Sequence, residues 1–278
     1  MEVEYEVRGG GVGVITLNAP ERRNAFTVGM ARSWRELVDR LEGEIEGADA
    51  ESAPRALVLR GRGLSFCAGG DLSMLSDIAE SERLEENART LTSLYSSFLS
   101  IRRLGIPVVA ALHGHCVGGG AGIAVGCADV RVCAKDTKLR FNFLRELGIT
   151  PGMGTTKTLP DLLTKAHATK LLLQLPSQDV TPEELCHLGL VVKVAEDRDS
   201  AFEEALGVAA ELARANPVAT RSMIRTLRSS RDQLDRLEEV LMEEGRLQAQ
   251  AFASPESRKV FKRIRSRMLQ GVQPKSKL

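Results

Sequence analysis

The chain lacks any real excess of charge: 38 Lys and Arg stand against 37 Asp and Glu, a formal net charge of +1 over 278 residues. No global field therefore draws it toward nucleic acid or an anionic membrane, and any anion it binds must be met by local groups. Long apolar runs are missing too, so no stretch reaches the length of a membrane span and no membrane insertion is expected. Met1 to Arg8 is acidic and alternating, without the basic start and apolar run of a secretory leader. Paired cysteines are likewise absent. Cys67, Cys116, Cys127, Cys133 and Cys186 are odd in number and mostly lie in apolar stretches, without the spacing of a zinc site or a disulfide framework, which fits a reducing compartment. Internal repeats and low-complexity segments are also lacking.

What is there reads as one large folded unit with a helical appendage. Val12 to Asn18, Arg55 to Gly61 and Ile106 to His113 are short β-branched or apolar runs closed by Gly, Asn or Pro, hence strands; Asp129 to Ala134 and Leu190 to Ala195 are weaker examples. Thr27 is placed to cap a helix whose Met30, Trp34, Leu37, Val38 and Leu41 share one face, and a second helix is expected within Glu82 to Ile101. Alternating strands and helices predict an α/β core over residues 1–200. Strand signals then stop, and three helical stretches are expected over 201–270, two of them opened by Asn216-Pro217 and Ser254-Pro255. Leu234, Leu237, Val240, Leu241 and Leu247 form an apolar stripe that packs on its own domain or on another copy. Residues 271–278 form a polar tail ending in Ser276-Lys277-Leu278, the tripeptide read by the peroxisomal import receptor, so a peroxisome or a related organelle such as the glycosome is the expected location.

Two glycine-rich segments follow strands. Leu64-Ser65-Phe66-Cys67-Ala68-Gly69-Gly70-Asp71-Leu72 allows a sharp turn with unobstructed backbone N–H groups; alone, it reads as a turn carrying a surface Asp. His113-Gly114-His115-Cys116-Val117-Gly118-Gly119-Gly120-Ala121-Gly122 follows a buried strand and precedes small apolar residues, so its glycines open a tightly packed helix whose N-terminus suits a developing negative oxygen. No Gly-Lys-Ser/Thr follows, and the spacing is not that of a dinucleotide fingerprint. Taken alone, this segment is equally a packing device.

Together with Asn18-Ala19-Pro20, Asn24-Ala25, Ala128-Asp129, Leu147-Gly148-Ile149-Thr150-Pro151-Gly152, Leu159-Pro160 and Ser254-Pro255-Glu256, these segments resemble the crotonase (enoyl-CoA hydratase/isomerase) superfamily over nearly the whole chain. The resemblance implies a spiral of ββα units with a C-terminal helical region used in trimers, often stacked into hexamers. It also implies that the N–H groups of Gly70 and Gly119 form an oxyanion hole for an acyl-CoA thioester, and that the loop of Ala68, Gly70, Asp71 and Leu72 holds the coenzyme A portion. Coenzyme A enters as part of the substrate; no other cofactor and no metal is implied.

The resemblance also fixes where acid–base carboxylates belong, and the chain departs from it there. The first glutamate of a hydratase is expected at 122, where Gly122 stands; the second is expected at 144, where Leu144 stands; the aspartate of related hydrolases and dehalogenases is expected at 152, where Gly152 stands. Glu146 is the nearest substitute, and if it serves as the base its change to Gln abolishes activity. The plainer reading of Glu146 is a solvated charge or a partner of Arg145. His113 and His115 flank the glycine run as candidate proton carriers, though each reads first as structural, and Cys116 lacks any group that would stabilise its thiolate. The expected function is enolate stabilisation of an acyl-CoA by an enzyme of hydratase/isomerase type in peroxisomal fatty-acid metabolism. The alternatives are a catalytically silent acyl-CoA-binding or assembly subunit, and an isomerase or decarboxylase using a non-standard residue.

Overall fold

A computed structural model describes residues 1–47, 53–174, 180–228 and 231–270, with the side chains of 231–236 excepted. The Ser276-Lys277-Leu278 tail and the Leu234 side chain therefore lie outside the described residues. The chain opens with an antiparallel pair, β1 (Val3–Arg8) and β2 (Val12–Leu17), and then α1 (Val28–Glu46) crosses over to β3 (Ala56–Gly61), which lies parallel to β2. Helices α2 (Leu72–Glu80) and α3 (Leu84–Leu99) lead to β4 (Val108–Leu112). The short β5 (His115–Val117), α4 (Gly119–Gly126), β6 (Val130–Ala134) and β7 (Lys138–Arg140) follow. The main sheet has the order β1-β2-β3-β4-β6-β8, where β8 is Lys193–Ala195; it is parallel except for its first pair, and β5 with β7 forms a second small parallel sheet.

Beyond a π-helical turn at Phe143–Leu147 come α5 (Thr155–Leu162), α6 (Lys165–Leu172), α7 (Pro182–His187) and β8 (Lys193–Ala195). Four helices complete the chain: α8 (Arg198–Arg214), α9 (Pro217–Arg228), α10 (Arg231–Ala253) and α11 (Pro255–Leu269). The five expected strands correspond to β2, β3, β4, β6 and β8. The expected caps are also in place: Thr27 accepts from Met30 N–H, Asn216 from the N–H groups of Val218 and Ala219, and Ser254 from Ser257 N–H. Against the three helical stretches expected over 201–270, four helices, α8 to α11, are found.

The sheet is buried on both faces, which is why β3 reads as an unbroken apolar run rather than an alternating one. Ile15, Leu57 and Leu59 face Trp34, Val38 and Leu41 of α1 within the main core. Val14, Val58, Val109 and Val132 face the other way, onto Ala201, Ala205, Ala209 and Ala213 of α8. Alanine at every fourth position leaves a smooth helix stripe that can lie close on the β-branched surface. Helix α8 thus packs with the sheet, and the appended region proper starts at α9. That helix is fastened by Arg228, whose buried guanidinium bonds both oxygens of Asp129 and the carbonyls of Arg102 and Ile106. Asp129 in turn accepts from Val108 N–H, so it is a structural anchor at the edge of β4.

Candidate active site

The two glycine segments meet. Val117 N–H donates to Cys67 carbonyl and Cys67 N–H to His115 carbonyl, pairing the strand end after β3 with β5. Gly118 adopts φ 55°, ψ −120°, a region closed to side-chain-bearing residues, and this turn starts α4 at Gly119. A Cβ on Gly119 would stand 2.5 Å from Phe26 Cζ, and one on Gly120 would collide with the Cys67 carbonyl, so the helix start can approach the loop only as glycine. A Cβ at Gly69 would lie 3.5 Å from Gly119 N, a measure of how closely the loops converge.

The backbone N–H groups of Gly70 and Gly119 are set up for an external acceptor. Gly119 is the first residue of α4, so its N–H has no partner within the helix. Gly70 forms a parallel bridge with Phe26, in which Phe26 bonds the residues on either side: its N–H donates to Gly69 carbonyl and its carbonyl accepts from Asp71 N–H. In that pattern the N–H of the central residue points to the opposite edge. Both glycines line one cavity of about 420 Å³, whose apolar wall includes Phe26, Leu75, Leu94, Phe143, Ile149 and Phe252. Ala68, Asp71 and Leu72 line it too. Asp71 has a structural task as well: its Oδ1 accepts from the N–H groups of Ser73 and Met74 and so caps α2.

Of the three positions without carboxylates, two are filled from elsewhere and the third faces away from the cavity. A Cβ at Gly122 would stand 2.5 Å from Met153 Cβ and 2.7 Å from its Cγ, so Met153 takes that volume. A Cβ at Gly152 would stand 2.6 Å from the Tyr95 hydroxyl. Leu144 is 46% exposed and, with Glu146, does not belong to the cavity wall, to which the π-helical turn contributes Phe143 and Leu147. Glu146 instead accepts from Arg140 (2.9 Å) and from the Nδ2 group of Asn142 (3.2 Å), and Asn142 is the one that reaches the cavity.

Other candidates separate in the same way. His115 lies on the wall, with Nδ1 3.4 Å from Ser65 Oγ. His113 does not; its ring contacts the Gly63 carbonyl, and burial holds its pKa below the ordinary value. The Cys116 thiol is fully buried and pushed far from ionisation by that burial. Tyr95, Gln248 and Phe252 are wall residues that sequence reasoning missed. A signal existed for the last two, because Glu244, Gln248 and Phe252 continue one face of α10 at four-residue spacing, but Gln and Glu within that stripe read as solvated. The Tyr95 phenol donates to Gln248, and burial first, then the nearby Glu244, raises its pKa well above that of a free tyrosine. Among the described residues no group of metal-ligating side chains occurs and no helix is long and apolar enough to cross a membrane.

This geometry has close counterparts. The profile of the enoyl-CoA hydratase/isomerase family matches residues 8–267. The human mitochondrial Delta(3,5)-Delta(2,4)-dienoyl-CoA isomerase is 32% identical over 225 residues, 78% of this chain; the aligned part spans 66% of the isomerase, just under two thirds of its length. A Thermus thermophilus protein grouped with the enoyl-CoA hydratases is 36% identical over 216 residues, covering 78% of this chain and 80% of that protein. In fold, an enoyl-CoA hydratase/isomerase from Xanthobacter autotrophicus Py2 superposes with a TM-score of 0.82 at 24% identity, over 98% of this chain and 96% of the other. By sequence and by fold, the chain belongs to the enoyl-CoA hydratase/isomerase family, within the crotonase superfamily.

Proposed function

We propose that the cavity binds an acyl-CoA thioester and that the N–H groups of Gly70 and Gly119 stabilise its enolate, in an enzyme that shifts a double bond along the acyl chain. The observation that carries this reading is that two backbone amides without partners in their own elements open onto one largely apolar cavity. Thioester oxygen gains negative charge as a proton leaves the acyl chain, and each such donor is worth about 2.7–4 kcal/mol in comparable sites. The likeness to dienoyl-CoA isomerases favours isomerisation. Hydration is disfavoured because Met153 fills the space where the first hydratase glutamate would stand, and Leu144, in place of the second, is off the cavity wall. Those same fillings support the second reading, a silent acyl-CoA-binding subunit.

Assembly into a trimer or hexamer belongs to the proposal, supported by the exposed Val218, Met223 and Leu227 of α9, and light scattering tests it. So does entry into a peroxisome or glycosome, supported by the Ser276-Lys277-Leu278 tripeptide and tested by fusing it to a reporter.

The purified protein is to be incubated with crotonyl-CoA, a 3-enoyl-CoA and a 3,5-dienoyl-CoA while conjugated absorbance is followed. Isomerisation of either of the last two is the expected result. Hydration of crotonyl-CoA at about 10 s⁻¹ or faster would overturn the reading of the missing carboxylates. Binding without turnover of any substrate would leave the silent-subunit reading in its place.

A further inference from the structure

Tyr95 of α3 and Gln248 of α10 stand 153 positions apart and meet on the wall of the cavity. Their hydrogen bond has a fixed polarity. Thr150 carbonyl can only accept, so the Gln248 atom 2.7 Å from it is Nε2, and the amide oxygen Oε1 faces Tyr95. An amide oxygen also only accepts, so the phenol must donate its proton to Gln248. Both residues are almost wholly buried, at 5% and 1% exposure, so water does not readily reorient the chain. What Tyr95 has left to offer is lone pairs.

The oxygen also has a defined place. It stands 2.6 Å from where a Gly152 Cβ would be, and the next residue, Met153, brings its Cε within 3.7 Å of where a Gly119 Cβ would be. Tyr95 shares the cavity wall with Gly70 and Gly119, and the exposed Glu21 marks the solvent side. Around it the wall is Leu94, Ile149 and Phe252, and a substrate hydroxyl placed there without a partner would lose its bonds to water. Asn142, another polar residue of the wall, has an N–H committed to Glu146.

We propose that Tyr95, oriented by Gln248, is the specificity residue of the acyl pocket, accepting a hydrogen bond from a hydroxyl on the acyl chain. The site then prefers hydroxyacyl-CoA thioesters to thioesters of the same length that carry only hydrocarbon. It also prefers them to keto analogues, whose oxygen would meet the phenol lone pair to lone pair. This rests on the reading of the cavity as a thioester site.

The test is the dissociation constant of 3-hydroxybutyryl-CoA, butyryl-CoA and acetoacetyl-CoA, measured by calorimetry on the full chain and on Tyr95→Phe and Gln248→Met. Conversion is monitored in parallel so that KM can replace Kd in the same ratios. The unmodified chain is expected to bind the hydroxy ligand about three- to tenfold more tightly than either analogue, the value of one neutral hydrogen bond. Tyr95→Phe brings the ratio of hydroxy to plain ligand to about one. Gln248→Met releases the phenol proton toward the cavity, so the keto ligand gains on the hydroxy ligand, an inversion that mere loosening of the wall would not produce. Equal affinities in the unmodified chain, or a preference that survives Tyr95→Phe, overturn the proposal. Butyryl-CoA bound without discrimination removes this inference alone; failure of all three ligands to bind removes the thioester reading as well.

Discussion

Glu244, in the middle of α10, accepts hydrogen bonds from the N–H groups of Gly154 (2.7 Å) and Thr156 (3.0 Å), and so caps α5 from a helix 90 residues further along the chain. No residue next to α5 provides a side-chain cap, because Gly154 occupies the capping position. Replacing Glu244 by Ala strands the buried Gly154 donor and leaves the exposed Thr156 to water, so a loss of about 1–3 kcal/mol is expected in urea denaturation.

The same carboxylate gives a pH signature. Burial raises its pKa above the ordinary 4.5, against the opposing hydrogen bonds from Thr156 and Gly154. A carboxyl with a raised folded pKa holds its proton more tightly when folded, so its contribution is complete below about pH 4.5 and is lost as pH rises through the folded value. Glu244→Gln cannot titrate. Its stability relative to the unmodified chain should therefore improve as pH rises above 4.5; a constant difference across that range would show that Glu244 is not the titrating group.

Gly122 and Met153 should couple strongly. Gly122→Ala drives a methyl into the Met153 side chain and is expected to cost about 1–3 kcal/mol, as overpacking does. Because the nearest atom is the Met153 Cβ, which alanine would keep, Met153→Gly, at a residue already at φ 61°, should recover most of that cost in the double variant. A double-mutant cycle reads the coupling, and additive losses would show that Met153 does not fill this space.

Glu146 touches Asn142 and Arg140 but not the cavity, so Glu146→Gln should lower any turnover less than about tenfold. A general base would cost 10²- to 10⁴-fold. Steady-state kinetics with whichever enoyl-CoA is converted separates the two outcomes, and a loss of the larger size would restore Glu146 to the chemistry.

Cysteine reactivity should divide sharply. Burial pushes the thiols of Cys67 and Cys127 up to about 12, and Cys116 and Cys133 are also buried, while Cys186 is exposed. Iodoacetamide at neutral pH should label one thiol per folded chain, at Cys186, and five after denaturation. Labelling of Cys116 in the folded state would reopen it as a nucleophile.

The parts of this molecule that were legible in the sequence are those written in short-range pattern. The run Ala56 to Leu59 announces a sheet strand buried on both faces, and Thr27, Asn216 and Ser254 announce helix starts, because cap and period act over a few residues. Gly118-Gly119-Gly120 and Gly69-Gly70 were legible as loops that must approach something closely. What filled the carboxylate positions was not legible. Met153 reaches Gly122 and Tyr95 reaches Gly152 only through the packing of the segment before α5 onto α4 and α3, and Gln248 enters the wall from α10. The π-helical turn at Phe143–Leu147 also escaped sequence reasoning, and it is what keeps Glu146 off the cavity while bringing in Phe143 and Leu147.

The cavity wall draws Phe26, Gly70, Tyr95, Gly119, Ile149 and Phe252 from six well-separated stretches of chain. Each closure between such distant segments costs loop entropy before any contact repays it. The wall is therefore complete only when α10, near the end of the chain, has docked against α3. A nascent or clipped chain ending before Gln248 would have both glycine loops and still no closed pocket. Ligand affinity thus reports completion of folding, and a bound ligand, by stabilising only the finished state, should slow the loss of the last helices to attack by proteases.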